Sequence, residues 1–192
     1  MKNAHVLIIP LVTLARILAA FSMFIAPLPG IVLTMIFDFL DGRVFAATGV
    51  FDRLSYHRWD KALDMVGYCV ELYIVWRYGV WLAFLPLFLW RAIGYVIYVA
   101  SGASEIFLLC PNIYEAAVLW LFVFYPAPTP RIQVLPYQAL WLGVIIILKI
   151  IQEWSLHWFV PHGGNVWWDK LVRSVLPAHF PFLKWTLSLP VS

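Results

Sequence analysis

Charge is scarce in this sequence. Asp, Glu, Lys and Arg make up 12% of its 192 residues and leave a formal net charge of only +3. A soluble domain carries about twice that share, and so small a positive excess excludes the dense basic surface that nucleic-acid binding requires. Cysteine is equally sparse. Cys69 and Cys110 stand within apolar runs, where a thiol behaves as a small hydrophobe. Neither a disulfide framework nor a cysteine-based metal site is expected. There is no internal repeat and no low-complexity tract.

What fills the chain instead is apolar. Hydrophobic residues account for 64% of it, and the mean hydropathy is +0.86. Residues 80–100 and 135–151 are long enough to cross a hydrocarbon core, which takes about 20 mostly apolar residues. A bilayer leaves the backbone to satisfy its own hydrogen bonds, so only helices or a closed barrel can span it. The runs lack period-two alternation, which selects helices. The expected fold is therefore an all-α, polytopic membrane bundle of about six transmembrane helices, forming one membrane domain over residues 1–192. The N-terminal run has the Lys2 and apolar stretch of a signal peptide, but Arg16 interrupts it and no small-residue cleavage site follows. It reads as the first span.

The expected spans cover residues 5–25, 31–47, 60–79, 80–100, 104–125 and 135–158. Between the first two lies a turn at Ala26-Pro27-Leu28-Pro29-Gly30, and a polar connector occupies residues 48–59. Pro126, Pro128 and Pro130 separate the last two spans. Residues 161–192 form a cytoplasmic or interfacial tail. Within it Trp167, Trp168, Leu171, Val172, Val175 and Leu176 recur at helical spacing behind Asn165, as in a helix lying at headgroup depth. His157 and His162, across a Pro-Gly-Gly junction, are weak grounds for a metal site. Placing the N-terminus in the cytoplasm puts Lys2, Arg43, Arg53, Arg58, Lys61, Lys170, Arg173 and Lys184 on that side, with only Arg77 and Arg131 outside. That asymmetry follows the positive-inside rule for an even number of spans. The connector then faces the cytoplasm.

Ionisable groups inside a span cost about 2.5–3.5 kcal/mol each on insertion scales, so they call for a reason. Asp38 and Asp41, at i and i+3, share one face of the second span. Asp60 and Asp64, at i and i+4, share a face of the third, and Glu71 continues it. Two bland readings compete. Arg16 on the first span could neutralise Asp38 and Asp41, and Asp60 could be a helix cap. Because a short connector makes the two spans antiparallel neighbours, the carboxylate pairs are expected to converge. Several carboxylates in one place require compensation, and oxygen-only ligands favour Mg²⁺, Mn²⁺ or Ca²⁺.

Asp38-Phe39-Leu40-Asp41-Gly42 followed by Asp60-Lys61-Ala62-Leu63-Asp64 resembles the signature of the CDP-alcohol phosphatidyltransferases. Thr13-Leu14-Ala15-Arg16 is similar to the T-x-x-R segment of that family's first span. The motif-bearing likeness covers about the first 70 residues, and beyond it only the span count agrees. The resemblance implies a membrane enzyme that transfers a phosphatidyl-type group from a CDP-linked lipid to a small alcohol with release of CMP, assisted by Mg²⁺ or Mn²⁺. It implies Asp38, Asp41, Asp60 and Asp64 as metal ligands and Asp64 as the general base. Gly42, Arg43 and Arg58 become substrate-binding candidates, and a homodimer is compatible. The chain departs from the pattern in three places. Arg43-Val44-Phe45-Ala46 follows Gly42 where an Ala-Arg pair is usual, the interval from Asp41 to Asp60 is one residue longer, and Tyr56 replaces a glycine beside which the nucleotide would pass. Arg43, Arg53 and Arg58 are candidates to replace the missing arginine.

Two other functions fit the same residues. One is a non-catalytic protein that keeps the fold and metal site. The other is a cation or proton transporter using Asp38, Asp64, Glu71 and Glu115 as a relay. A phosphorylated acceptor would want a basic pocket, for which Arg91 and Lys149 are candidates unless each pairs with a nearby acid.

Overall fold

The structure, a computed structural model of the chain, describes residues 2–48, 53–128 and 132–155. The tail expected at 161–192 lies outside the described residues. Every regular element among those described is helical: α1 Lys2–Ser22, α2 Pro27–Thr48, α3 Arg53–Arg77, α4 Trp81–Ser101, α5 Ile106–Leu109, α6 Ile113–Phe124 and α7 Pro136–Trp154. Two of them, α4 and α7, are long and apolar enough to cross a membrane by length and composition.

Three boundaries differ from expectation, each for a local reason. The turn expected at 26–30 is shorter, because α2 begins at Pro27. Proline suits a first helical position, where the missing N–H has no partner to lose. Packing then demands a glycine at position 30, since a Cβ there would lie 2.5 Å from the backbone nitrogen of Met23. That close approach folds α1 directly against α2. The connector expected at 48–59 is also short, because α3 begins at Arg53. Asp60 is consequently two turns inside the helix and is not its cap. Finally, the helix expected over 104–125 is broken. Pro111 cannot donate to a helix and disfavours helical geometry at Cys110, so the chain stops after Leu109 and restarts at Ile113. Asn112 caps the restart by accepting from the Glu115 N–H at 3.3 Å.

The carbonyls stranded at the end of α5 are taken up by α4. Trp90 Nε1 donates to the Leu109 oxygen at 2.9 Å, and Arg91 Nη1 donates to the Cys110 oxygen at 2.7 Å. At the start of α7, Gln138 Oε1 reaches back to accept from the Leu135 N–H at 2.8 Å.

The 12-residue α6 is the hub. It packs against α2, α3, α4 and α7, and Tyr114, Val118, Leu121 and Phe122 are almost wholly buried with Met23, Ile31 and Val75. The outside of the bundle is apolar. Leu7, Leu11, Leu14 and Leu18 form an exposed stripe on α1, as do Leu82, Leu89, Ile93 and Val96 on α4 and Leu140, Ile147 and Leu148 on α7. Six charged residues lie inside, Arg16, Asp41, Asp60, Glu71, Arg91 and Glu153, each at most 6% exposed, while Asp38, Arg58, Arg77 and Glu105 are exposed. This arrangement inverts that of a water-soluble bundle, whose charges face outward.

Candidate metal centre

The centre forms where α1 lies across α2 and α3, and its middle is the Arg16 guanidinium. Nη2 donates to Asp38 Oδ1 at 2.8 Å and to Asp64 Oδ1 at 2.6 Å. Nη1 donates to Asp60 Oδ1 at 2.6 Å and to Asp41 Oδ2. One planar fork thus touches all four aspartates, which its fixed donor geometry permits and an ammonium would not. The helix spacings account for the convergence. Asp38 and Asp41 present one face of α2, Asp60 and Asp64 one face of α3, and Arg16 reaches between them from α1.

Lys61 is the second cation. Its Nζ lies 2.9 Å from Asp60 Oδ2 and 2.7 Å from Asp64 Oδ2. Four carboxylates against two cations leave two negative charges at the centre. Arg16 pairs with both Asp38 and Asp41, as the bland reading expects, and if all four carboxylates are ionised one divalent ion would balance the two charges that remain. The donors are all oxygen, and one carboxylate oxygen from each of Asp38, Asp60 and Asp64 lies within 4.8 Å of the others. That spread is compatible with ligands around a small, hard cation. An entering ion would take over oxygens now held by Arg16 and Lys61, so ion and side chains share one set of acceptors. Asp38 is the open side of the centre, its side chain 46% exposed while Asp60 and Asp64 are at 8% and 11%.

Asp41 has a different setting. It is buried, Arg16 holds one of its oxygens, and the Tyr56 hydroxyl donates to the other at 2.7 Å. Tyr56 comes one turn before Asp60, ahead of the apolar part of α3. The phenol is neutral near pH 7 and so remains a donor. Its ring sits beside Phe45 and Trp59, at centroid distances of 5.7 and 6.3 Å. Trp59 in turn lies 5.9 Å from the Arg16 guanidinium carbon.

Gly42 lies under the same phenol: a Cβ there would be 2.9 Å from the Tyr56 hydroxyl. Arg58 is exposed, and two residues of helix turn it away from the Asp60 face. The Arg43 side chain lies outside the described residues. Thr13, of the T-x-x-R segment, donates to the Ile9 carbonyl of its own helix at 2.7 Å.

Sequence reasoning missed two participants. Lys61 enters the sequence reading only as a basic residue for orientation, although its i,i+3 spacing to Asp64 is a usable signal. Tyr56 stands out in sequence only as the replacement for a glycine, and nothing in the spacing marks its hydrogen bond to Asp41. Compared with known protein families, curated proteins and solved structures, the chain matches none.

Proposed function

We propose that this chain is a multi-pass membrane enzyme of the CDP-alcohol phosphatidyltransferase type, its aspartate centre facing the cytoplasm. The observation that carries the reading is the convergence of four carboxylates from two helices on the one guanidinium of Arg16. The apolar exterior and charged interior support the membrane setting, with α1, α2, α3, α4, the α5–α6 pair and α7 as the six crossings.

Asp38, Asp60 and Asp64 would hold Mg²⁺ or Mn²⁺, joined by Asp41 if Arg16 withdraws. The ion, when bound, offsets the negative charge of the donor's pyrophosphate. The residues supply the rest. Asp64 accepts the proton of the acceptor hydroxyl, whose oxygen forms a bond to the lipid-bearing phosphorus of the CDP-linked donor. The phosphoanhydride bond breaks, and CMP leaves with the bonding electrons. Arg16 and Lys61, the two cations at the centre, would be available to offset that developing charge.

The decisive experiment measures cytidine-nucleotide binding to purified protein with and without Mg²⁺, followed by CMP release from a CDP-linked lipid. Mg²⁺-dependent binding is the expected result. Tyr56 favours one second reading, a non-catalytic protein that retains the centre, because its phenol fills the space over Gly42 that a nucleotide would need. Mg²⁺ binding without any cytidine binding would select it.

A further inference from the structure

A second set of charges lies deeper in the bundle, around the break between α5 and α6. Lys149 of α7 faces Glu115 of α6 at 3.3 Å, and Arg91 of α4 lies 3.7 Å from Glu153 of α7. Each cation that a phosphorylated ligand could have used therefore already faces a carboxylate. Glu71 is different. It is 1% exposed, and its Oε2 has no hydrogen-bond partner among the described residues. The charges that reach it are those of Glu115, Asp64 and Lys149, and Lys149 is the cation engaged by Glu115. If Glu71 is ionised, Glu71, Glu115 and Lys149 together leave one negative charge in the interior, where an uncompensated carboxylate is costly and a bound cation would offset it.

The backbone here is also unusual. The chain is non-helical at residues 110–112 between two helices. Asn112, at the start of α6, donates to Tyr68 Oη at 2.6 Å and to Glu115 Oε2 at 2.7 Å. Interrupted helices beside buried ionisable groups are how membrane bundles build sites for ions and small substrates. Asp64, Tyr68 and Glu71 follow at i, i+4 and i+7, so this region lies on the same face of α3 as the aspartate centre, about 10 Å further along.

We propose that Glu71 and Glu115, at the α5–α6 break, form a second site that binds a monovalent cation. A single positive charge is what the cluster lacks, and Lys149 disfavours a divalent ion. The cation is either a free alkali ion or the ammonium group of a small amino alcohol. The second source rests on the transferase reading, since the alcohol would be its acceptor.

Thermal unfolding of the full chain in detergent, at constant ionic strength, tests this. The probes are sodium chloride, 2-aminoethanol hydrochloride and its neutral analogue ethylene glycol, with N-methylglucamine chloride as the balancing salt. The expected result is a saturable rise in midpoint with sodium or aminoethanol and none with the glycol. Glu71→Gln should weaken that response about ten-fold, the scale of losing a charged partner. Glu115→Gln should do the same by a different route, because it frees Lys149 to turn to Glu71, and it serves if Glu71→Gln fails to fold. Sodium acting alone would identify a free ion, and aminoethanol acting at lower concentration than sodium would identify the ammonium ligand. No saturable response to any of these cations, or a full response in both Glu71→Gln and Glu115→Gln, would overturn the proposal. Mg²⁺-dependent CMP binding measured on the same preparation separates the two ideas: its absence sinks the transferase reading and leaves the cation site standing.

Discussion

The Tyr56 hydroxyl lies 2.9 Å from where a Cβ on Gly42 would stand, while donating to Asp41 at 2.7 Å. The glycine of the D-x-x-D-G motif thus makes room for a side chain of the protein itself. Gly42→Ala should push the phenol off Asp41 and cost about 1 kcal/mol, the usual worth of one such bond. Chemical denaturation reads the loss. In a Tyr56→Phe background the alanine should cost distinctly less, since only the ring carbon at 3.6 Å remains to be met. Equal costs in both backgrounds would show that the contact does not matter.

Arg16 touches four carboxylates. Arg16→Met would leave them with Lys61 alone, three negative charges in excess. Breaking a buried ionic cluster on one side typically costs about 3–5 kcal/mol. Thermal unfolding should show that loss in divalent-free buffer, with Mg²⁺ restoring more stability to the variant than it adds to the wild type. Arg16→Lys should recover only part, because one ammonium lacks the two-armed fork. If Mg²⁺ stabilised the two proteins equally, ion and guanidinium would not be sharing acceptors.

Asp64→Asn should abolish CMP release while keeping much of the metal affinity, since an amide retains an oxygen ligand but cannot take the acceptor's proton. Asp41→Asn should instead be destabilising, because that buried carboxylate holds both Arg16 and Tyr56. Steady-state kinetics beside unfolding curves would distinguish the two effects. An active Asp64→Asn would remove Asp64 from the role of base.

Asn112→Ala removes the α6 cap and the bonds to Tyr68 and Glu115. A lost cap alone costs about 1 kcal/mol, so a larger loss is expected here. Hydrogen exchange should rise first at the N-terminal turn of α6. Exchange that rose uniformly across the bundle would argue against a local role for the break.

Much of the centre was legible in sequence because it depends on helical spacing. Asp38 with Asp41 and Asp60 with Asp64 each fall on one face, but the two faces meet chiefly because α1 packs against both helices, and not through extensive α2–α3 packing. Arg16 was visible as the nearest buried cation, yet its reach across all four aspartates depends on the rotamer of a long side chain. The α3 start was misplaced because Ser55, Tyr56 and His57 read as polar connector, whereas burial of Tyr56 against Phe45 extends the helix back to Arg53. The break at Pro111 was legible in principle. It was hidden by apolar residues on both sides, which favour one continuous span. The Tyr56–Gly42 contact depends on three-dimensional packing and has no sequence signal.

The central claim is that the aspartate centre binds a divalent cation, and Mn²⁺ titration followed by electron paramagnetic resonance tests it most directly. Wild-type protein should bind Mn²⁺ saturably and release it to Mg²⁺, with affinity falling at least about ten-fold in Asp38→Asn and Asp60→Asn, each of which removes one charged ligand. A wild-type protein that binds no Mn²⁺, or one whose binding is unchanged in both variants, would contradict the account.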